Sequence, residues 1–206
     1  MSGISRRGLL KTGVAAGVLG LSGMPLRAQT RGGKLTAGLS GANTSDSWDG
    51  RTHSDLFMIA CAQGAVFDSL TEIAADGSIK GELAESWEAS PDAKTWTFNL
   101  RQGVTFHNGK SFGADDVIAS LQMHVEEGAK SAAEPIVSAI VEMTKITDYQ
   151  VQLTLSAGNA DLPYLLSDYH ILMYPAGQIA EAIAQGIGTG LYQVQSFDPG
   201  VRMVAT

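Results

Sequence analysis

Cysteine is nearly absent from this 206-residue chain, in which Cys61 is the only one. A single thiol excludes both an internal disulfide and a cysteine-based metal site. Cys61 lies among apolar neighbours in "SDLFMIACAQGAVFDSL", which predicts a position in the core. The chain also has no internal repeat, low-complexity tract or long charged run. Its composition, 44% hydrophobic and 17% charged, is typical of a globular protein.

Basic residues are also scarce, with 14 Lys and Arg against 21 Asp and Glu. Four of the basic residues and none of the acidic ones fall in the first 28 positions, so the remainder has 10 basic against 21 acidic side chains and a net charge of −11. Nucleic acids and anionic membrane surfaces both require a positive face on the protein. We therefore predict that neither is a partner.

Residues Thr12–Met24 form an uncharged stretch, but it is too short and too rich in glycine for a typical transmembrane helix. It follows a basic segment and precedes a plausible cleavage site after Ala28. This order is typical of a secretory signal peptide. We predict an export signal over residues 1–28, and an N-terminal anchor that stays uncleaved is the alternative.

Within that segment, "SRRGLLK" resembles the twin-arginine export signal S-R-R-x-F-L-K, with Leu9 at the position where Phe is usual. The arginine pair is Arg6 and Arg7. We therefore expect the chain to be exported from the cytoplasm by the twin-arginine route.

A glycine cluster, "GIGTGLY", comprises Gly186, Gly188 and Gly190. A phosphate-binding loop needs a lysine that reaches the phosphates, and a dinucleotide fingerprint needs a helix after the glycines. The cluster has no lysine and precedes a strand-like segment. It predicts instead a place where the chain turns sharply or crosses close to another segment.

Signatures of catalysis are absent as well. The sequence has no G-x-S-x-G elbow and no H-E-x-x-H motif, and its four histidines are widely scattered. Asp115 and Asp116 are adjacent on a predicted helix, so they point in different directions and are typical of helix N-terminal electrostatics. We predict no catalytic residue, no metal site and no cofactor.

Alternation and helical periodicity predict a mixture of strands and helices. Apolar residues alternate in 32–40, 95–100 and 149–156, which predicts strands. Residues 54–67 and 113–125 have apolar positions at helical spacing. Because several strands are joined as hairpins, the fold class is α+β rather than a strictly parallel α/β sheet.

The loop "NTSDSWDGR", residues 43–51, is a candidate binding segment. It combines the polar side chains of Asn43, Ser45 and Asp46 with the aromatic Trp48. Such a mixture is typical of sites for a small polar or peptide-like ligand, in which a few polar groups orient the ligand and an aromatic side chain supplies contact area. An ordinary solvated surface loop is the alternative.

The run at residues 82–121, "ELAESWEASPDAKTWTFNLRQGVTFHNGKSFGADDVIASL", resembles the extracellular solute-binding proteins of family 5, which serve dipeptide, oligopeptide and nickel ABC importers. Upstream, "VFDSLTEIAADGSI" resembles the same family, and so does "GTGLYQVQSFDPGVR" downstream, where Leu191 replaces the usual proline. The resemblance extends from about residue 33 to Thr206.

The resemblance implies a periplasmic-binding-protein type II-like fold with two lobes that close on a ligand. Family members are longer than this chain, so we expect residues 29–206 to hold only part of lobe one with its extra subdomain, a mixed sheet with hairpins. The resemblance also implies that the lobe-one side of the cleft includes three segments, namely Asn43–Trp48, Lys130–Ser131 and Gly188-Thr189-Gly190.

The function implied is the substrate-binding component of an ABC importer for peptides or a related small solute, without catalysis. It would act in the periplasm as a monomer and deliver its solute to permease subunits in the inner membrane, which work with their own ATPase. Two alternatives stay open: an exported hydrolase or metal enzyme, which requires a cluster of His, Asp and Ser, and a non-functional fragment.

Overall fold

The computed structural model of the chain describes residues 32–206. The predicted export signal, including Arg6 and Arg7, lies outside the described residues. Leu39–Thr206 forms one compact unit, which carries every element named below. No helix within the described residues has the length and apolar character needed to span a bilayer.

Five helices occur in this unit, after a short 3-10 turn at Gly50–Thr52. They are α1 (Leu56–Ala62), α2 (Ala114–Gln122), α3 (Glu134–Val137), α4 (Leu162–Leu165) and α5 (Ile179–Gln185). The predicted helix at 54–67 is shorter than expected because Gln63 has extended backbone and Gly64 has a φ of 71°. Asp55 caps the N-terminus of α1, since the Met58 amide donates to its Oδ1 over 3.0 Å.

Within the same unit, eight strands form three separate sheets. They are β1 (Thr71–Ile73), β2 (Ile79–Gly81), β3 (Ala84–Ala89), β4 (Thr95–Leu100), β5 (Ile140–Thr147), β6 (Gln150–Leu155), β7 (Val194–Asp198) and β8 (Arg202–Ala205). The largest sheet is antiparallel with the order β3-β4-β6-β5, while β1-β2 and β7-β8 are two-stranded. The α+β class with hairpins is confirmed.

The alternation predicted for β4 is confirmed by its burial. Trp96, Phe98 and Leu100 are buried, whereas the residues between them are partly exposed. Trp96 pairs with Leu153 of β6 and Phe98 pairs with Val151, so the buried faces of the two strands coincide. Helix α2 packs on β5 and β6 and covers this part of the core.

The prediction of a strand at 32–40 is wrong, because these residues have no regular secondary structure. A strand is stable only when a neighbour completes its backbone hydrogen bonds. Within the described residues, no strand pairs with this segment. Its alternating pattern is therefore insufficient by itself to define a strand.

Candidate functional site

A polar pocket of about 410 Å³ lies beside the N-terminus of α1. It is lined by Asn43, Ser45, Asp46, Ser47, Asp49, Thr52, His53, Ser54, Asp55 and Met58. Three residues predicted to face a ligand, Asn43, Ser45 and Asp46, therefore share one cavity. Ser47 and Asp49 also belong to the predicted binding loop 43–51. The remaining five, Thr52, His53, Ser54, Asp55 and Met58, were missed, although the polar run continues in the sequence as far as the cap of α1.

Asn43 organises this pocket. Its backbone N–H donates to Oδ2 of Asp46 over 2.8 Å, and its side-chain Nδ2 donates to Oδ2 of Asp55 over 3.0 Å. The first bond fixes the turn at 43–46, and the second joins that turn to Asp55, the N-cap residue of α1. The carboxylates of Asp46 and Asp55 are thus held by the same asparagine.

Trp48 does not supply the predicted aromatic wall in this structure. Its side chain is only 2% exposed, and its ring centroid lies 4.6 Å from that of Phe197 and 6.1 Å from that of Phe67. The composition of the loop suggested exposure, but Phe197 comes from the distant strand β7 and covers the indole. Trp48 therefore anchors the loop to the core.

Two buried side chains from 168–174 fix the backbone of the loop. The Tyr174 hydroxyl donates to the Trp48 carbonyl over 2.7 Å and accepts from the Gly50 amide over 2.8 Å. Burial raises the pKa of Tyr174, so the hydroxyl stays protonated. Nε2 of His170 lies 2.8 Å from the His53 carbonyl oxygen. The pocket backbone is therefore held in place by hydrogen bonds from the protein itself.

The segment Lys130–Ser131 lies beside the same loop without lining the pocket. The Ala132 amide donates to the Arg51 carbonyl over 3.1 Å, which joins the two segments. Lys130 is exposed, and its φ of 47° is unusual for a residue other than glycine. Ser131 Oγ lies 2.6 Å from Nδ1 of the buried His124.

That serine and histidine do not complete a nucleophilic triad. Nε2 of His124 is buried and has no hydrogen-bond partner within the described residues, so no carboxylate orients the imidazole. Residues 32–206 also contain no group of three or more His, Cys, Asp or Glu arranged to hold a metal ion.

The glycine cluster forms a close backbone crossing rather than a phosphate loop. The Gly190 amide donates to the Val66 carbonyl over 3.0 Å. A Cβ on Gly188 would lie 2.0 Å from that carbonyl oxygen, and a Cβ on Gly190 would lie 2.4 Å from the Ala65 oxygen. Only glycine permits this approach. Thr189, between them, has a buried Oγ1 without a partner in the described part of the chain.

The chain resembles known binding proteins in both sequence and fold. The model of the family described as "Bacterial extracellular solute-binding proteins, family 5 Middle" matches residues 78–206. The nickel-binding periplasmic protein of Escherichia coli K12 is 35% identical over 104 residues, which are 50% of this chain and 20% of that protein. The dipeptide-binding protein of the same organism is 33% identical over 147 residues, with 59% of this chain and 28% of that protein covered.

A solved structure has the same fold. It is the PBP AgaA of A. tumefaciens R10 in complex with agropinic acid, with a TM-score of 0.74 and 28% identity over 80% of this chain and 34% of that chain. The predicted periplasmic-binding-protein architecture is therefore confirmed. This chain spans about 20% to 28% of the length of the two E. coli relatives.

Proposed function

The chain belongs to the bacterial extracellular solute-binding proteins of family 5, and from this premise we propose that it binds a peptide or related small solute for an ABC importer. The observation that carries the proposal is the pocket at 43–58, where polar side chains converge on a cavity with a fixed backbone. A few placed polar groups on a rigid frame are what solute recognition requires. The relatives named for dipeptide and nickel binding support a small solute.

In this proposal, Asn43, Ser45 and Asp46 contact the solute directly. Lys130, Ser131 and the crossing at Gly188-Thr189-Gly190 form the neighbouring wall of the cleft, and Trp48 supports the loop from beneath. Residues 29–206 correspond to part of lobe one. Binding requires no catalysis by this chain, and permease subunits with their ATPase receive the solute.

The proposal extends to location and assembly. Residues 1–28 act as a twin-arginine export signal, and the protein works as a monomer in the periplasm. A net charge of −11 beyond residue 28 is consistent with a soluble carrier that avoids anionic membrane surfaces.

Thermal unfolding of the full chain tests solute binding. Dipeptides, tripeptides and Ni(II)–histidine are added separately, because a ligand that binds only the folded state raises the unfolding temperature. Ser45→Trp fills the pocket and should abolish the rise. Ser138→Trp introduces the same side chain at an exposed serine after α3 and should preserve it. No shift with any solute, or an equal shift in both variants, would contradict the proposal.

A further inference from the structure

Two buried histidines, His53 and His124, contact the backbone segments beside the pocket. His53 is 4% exposed and His124 is 0% exposed. Nε2 of His53 lies 3.0 Å from the Ser47 carbonyl oxygen, and Nδ1 of His124 lies 2.6 Å from Ser131 Oγ. The other ring nitrogen of each histidine is also buried and has no hydrogen-bond partner in residues 39–206. Each ring is therefore hydrogen-bonded through one nitrogen only.

A second proton would give each ring a donor that no group accepts. A protonated imidazole carries a hydrogen on both nitrogens. The Ser47 carbonyl can accept one from His53, and Ser131 Oγ can accept one from His124, but the second N–H of each cation has no acceptor in this arrangement. Burial of a charged donor without a partner is costly. The closed structure therefore favours the neutral form of both histidines.

The carboxylates near His124 are engaged elsewhere. The titratable groups that act on this ring are Arg51, Asp49, His170 and Asp168. Both oxygens of Asp49 accept from Arg51, over 2.9 Å and 2.8 Å, and Oδ1 of Asp168 lies 2.7 Å from Nδ1 of His170. Burial, and then the charge of Arg51, lower the pKa of His124 to about 4.

His53 has similar surroundings. The titratable groups that act on it are His170, Asp49 and Asp55. Asp49 is paired with the neighbouring arginine and Asp55 caps α1, so neither carboxylate accepts from the ring. Burial lowers the pKa of His53, and the bond to the Ser47 carbonyl opposes this effect in part.

Both histidines hold the same short turn, Gly50–Thr52. On one side, His53 follows the turn directly and its ring bonds back to Ser47. On the other side, the Ala132 amide donates to the carbonyl of the middle residue of the turn over 3.1 Å, and the residue before Ala132 bonds to His124. Protonation of either ring therefore acts on the backbone of this one turn.

We propose that His53 and His124 form an acid switch, in which protonation of the two rings releases residues 47–53 from segment 130–132 and opens the pocket. The inference rests on the proposed solute-binding function, because an open loop weakens solute binding once it is populated. The closed form is favoured fully above pH 6.5, where histidine is neutral in either form. This advantage is lost as the pH falls towards 4, because the open form takes up protons first.

Amide hydrogen exchange of the full chain without solute provides the test. The reporters are the hydrogen-bonded amides of Thr52, His53 and Ala132, with the amides of β4 as the reference for global unfolding. Opening constants, corrected for the intrinsic exchange rate, are compared at pH 7 and pH 5. We expect the reporters to open more readily than β4 at both values. Their opening constant should rise at least about tenfold at pH 5.

The matched variants remove one kind of ring at different places. The double variant His53→Gln, His124→Gln keeps a polar side chain at both positions but cannot titrate, so it should lose most of the rise. His107→Gln removes a histidine that contacts Gly190 instead, and should keep the rise. If the double variant is unstable, the two single variants give the same test, since each should lose part of the rise.

Three results would overturn the acid switch. They are equal opening constants for the reporters and β4, which would mean that the turn opens only in global unfolding, no rise at pH 5, and a rise of full size in the double variant. None of these results affects solute binding at pH 7. Absence of solute binding at pH 7, together with the expected rise, would reject the proposed function and leave the acid-induced opening of the turn intact.

Discussion

Nε2 of His107 lies 2.9 Å from the carbonyl oxygen of Gly190, 83 positions away in the chain. The carbonyl can only accept, so Nε2 carries the hydrogen, and Nδ1 is then free to accept from the Gly188 amide over 3.3 Å. The His107 amide itself donates to the Gly188 carbonyl over 2.9 Å. Both ring nitrogens of His107 thus hold the backbone crossing at Gly188 and Gly190 in place.

Replacing this histidine should destabilise the fold. His107→Phe keeps a ring of similar width but leaves the Gly188 amide and the Gly190 carbonyl without partners. We expect the free energy of unfolding to fall by about 2 kcal/mol, measured by urea unfolding. Lys80→Ala, at an exposed position in β2, is the control and should change it by less than about 0.5 kcal/mol. Equal effects of the two substitutions would show that the histidine bonds contribute nothing.

The backbone crossing at Gly188 should also be too close to accommodate a methyl group. Gly188→Ala places a Cβ 2.0 Å from the Val66 carbonyl oxygen, and backbone must move to admit it. We expect a loss of about 3 kcal/mol or more in the free energy of unfolding. Gly38→Ala is the control, because a Cβ there meets no described atom within 4 Å. Wild-type stability of Gly188→Ala would rule out the close approach.

His124 should make the fold sensitive to acid. Burial, and then the charge of Arg51, lower the pKa of His124 from 6.5 to about 4. The unfolded chain therefore takes up a proton first as the pH falls, so stability that is complete above pH 6.5 is lost progressively towards pH 4. The loss attributable to this group is about 3 kcal/mol.

Urea unfolding at pH 7 and pH 4.5 measures this loss, with His124→Gln as the comparison. The variant should show a smaller decrease between the two pH values. Some decrease should remain, because burial also lowers the pKa of His53. A decrease of the same size in the variant would contradict the role of His124.

Glu82 should have the opposite dependence. Burial, together with the charges of Asp68 and Glu72, raises the pKa of Glu82 from 4.5 to about 8. The folded state keeps this proton longer than the unfolded state, so stability present below pH 4.5 is lost as the pH rises through 8.

Glu82→Gln removes that cost and keeps an oxygen for the Ser69 amide, which donates to Glu82 over 2.7 Å. We expect a gain of about 2 kcal/mol in the free energy of unfolding at pH 9, after allowing for partial exposure, and no gain at pH 4. Glu88→Gln should be neutral at both values. An unchanged or lower stability of Glu82→Gln at pH 9 would contradict the assignment.

Local sequence patterns predicted those strands and helices that can be recognised without knowing which elements pack against them. The alternation of Trp96, Phe98 and Leu100 identifies β4, because one face of a strand is buried whatever covers it. The apolar spacing of Val117 and Leu121 likewise identifies α2, in which both residues are buried. The predicted strand at 32–40 had the same kind of pattern, but no described strand pairs with it.

Long-range contacts decided the remainder. Loop composition suggested that Trp48 is a contact surface, whereas Phe197 packs against its ring and Tyr174 donates a hydrogen bond to its backbone carbonyl, both from positions far along the chain. Strand β5 was missed because its pattern of burial is irregular, with register shifts on both sides. Asp116 is more than a helix-terminal charge, since its buried carboxylate accepts from the Ala176 amide over 2.7 Å.

Amide chemical-shift mapping of the full ¹⁵N-labelled chain tests the central claim, that a solute binds in the pocket at 43–58, most directly. Tripeptides with free N-termini are added stepwise. We expect saturable shifts in the amides of residues 43–58 and none in β3 or β5, which lie in the four-stranded sheet. Shifts confined to that sheet, or no saturable shift at residues 43–58, would contradict the claim.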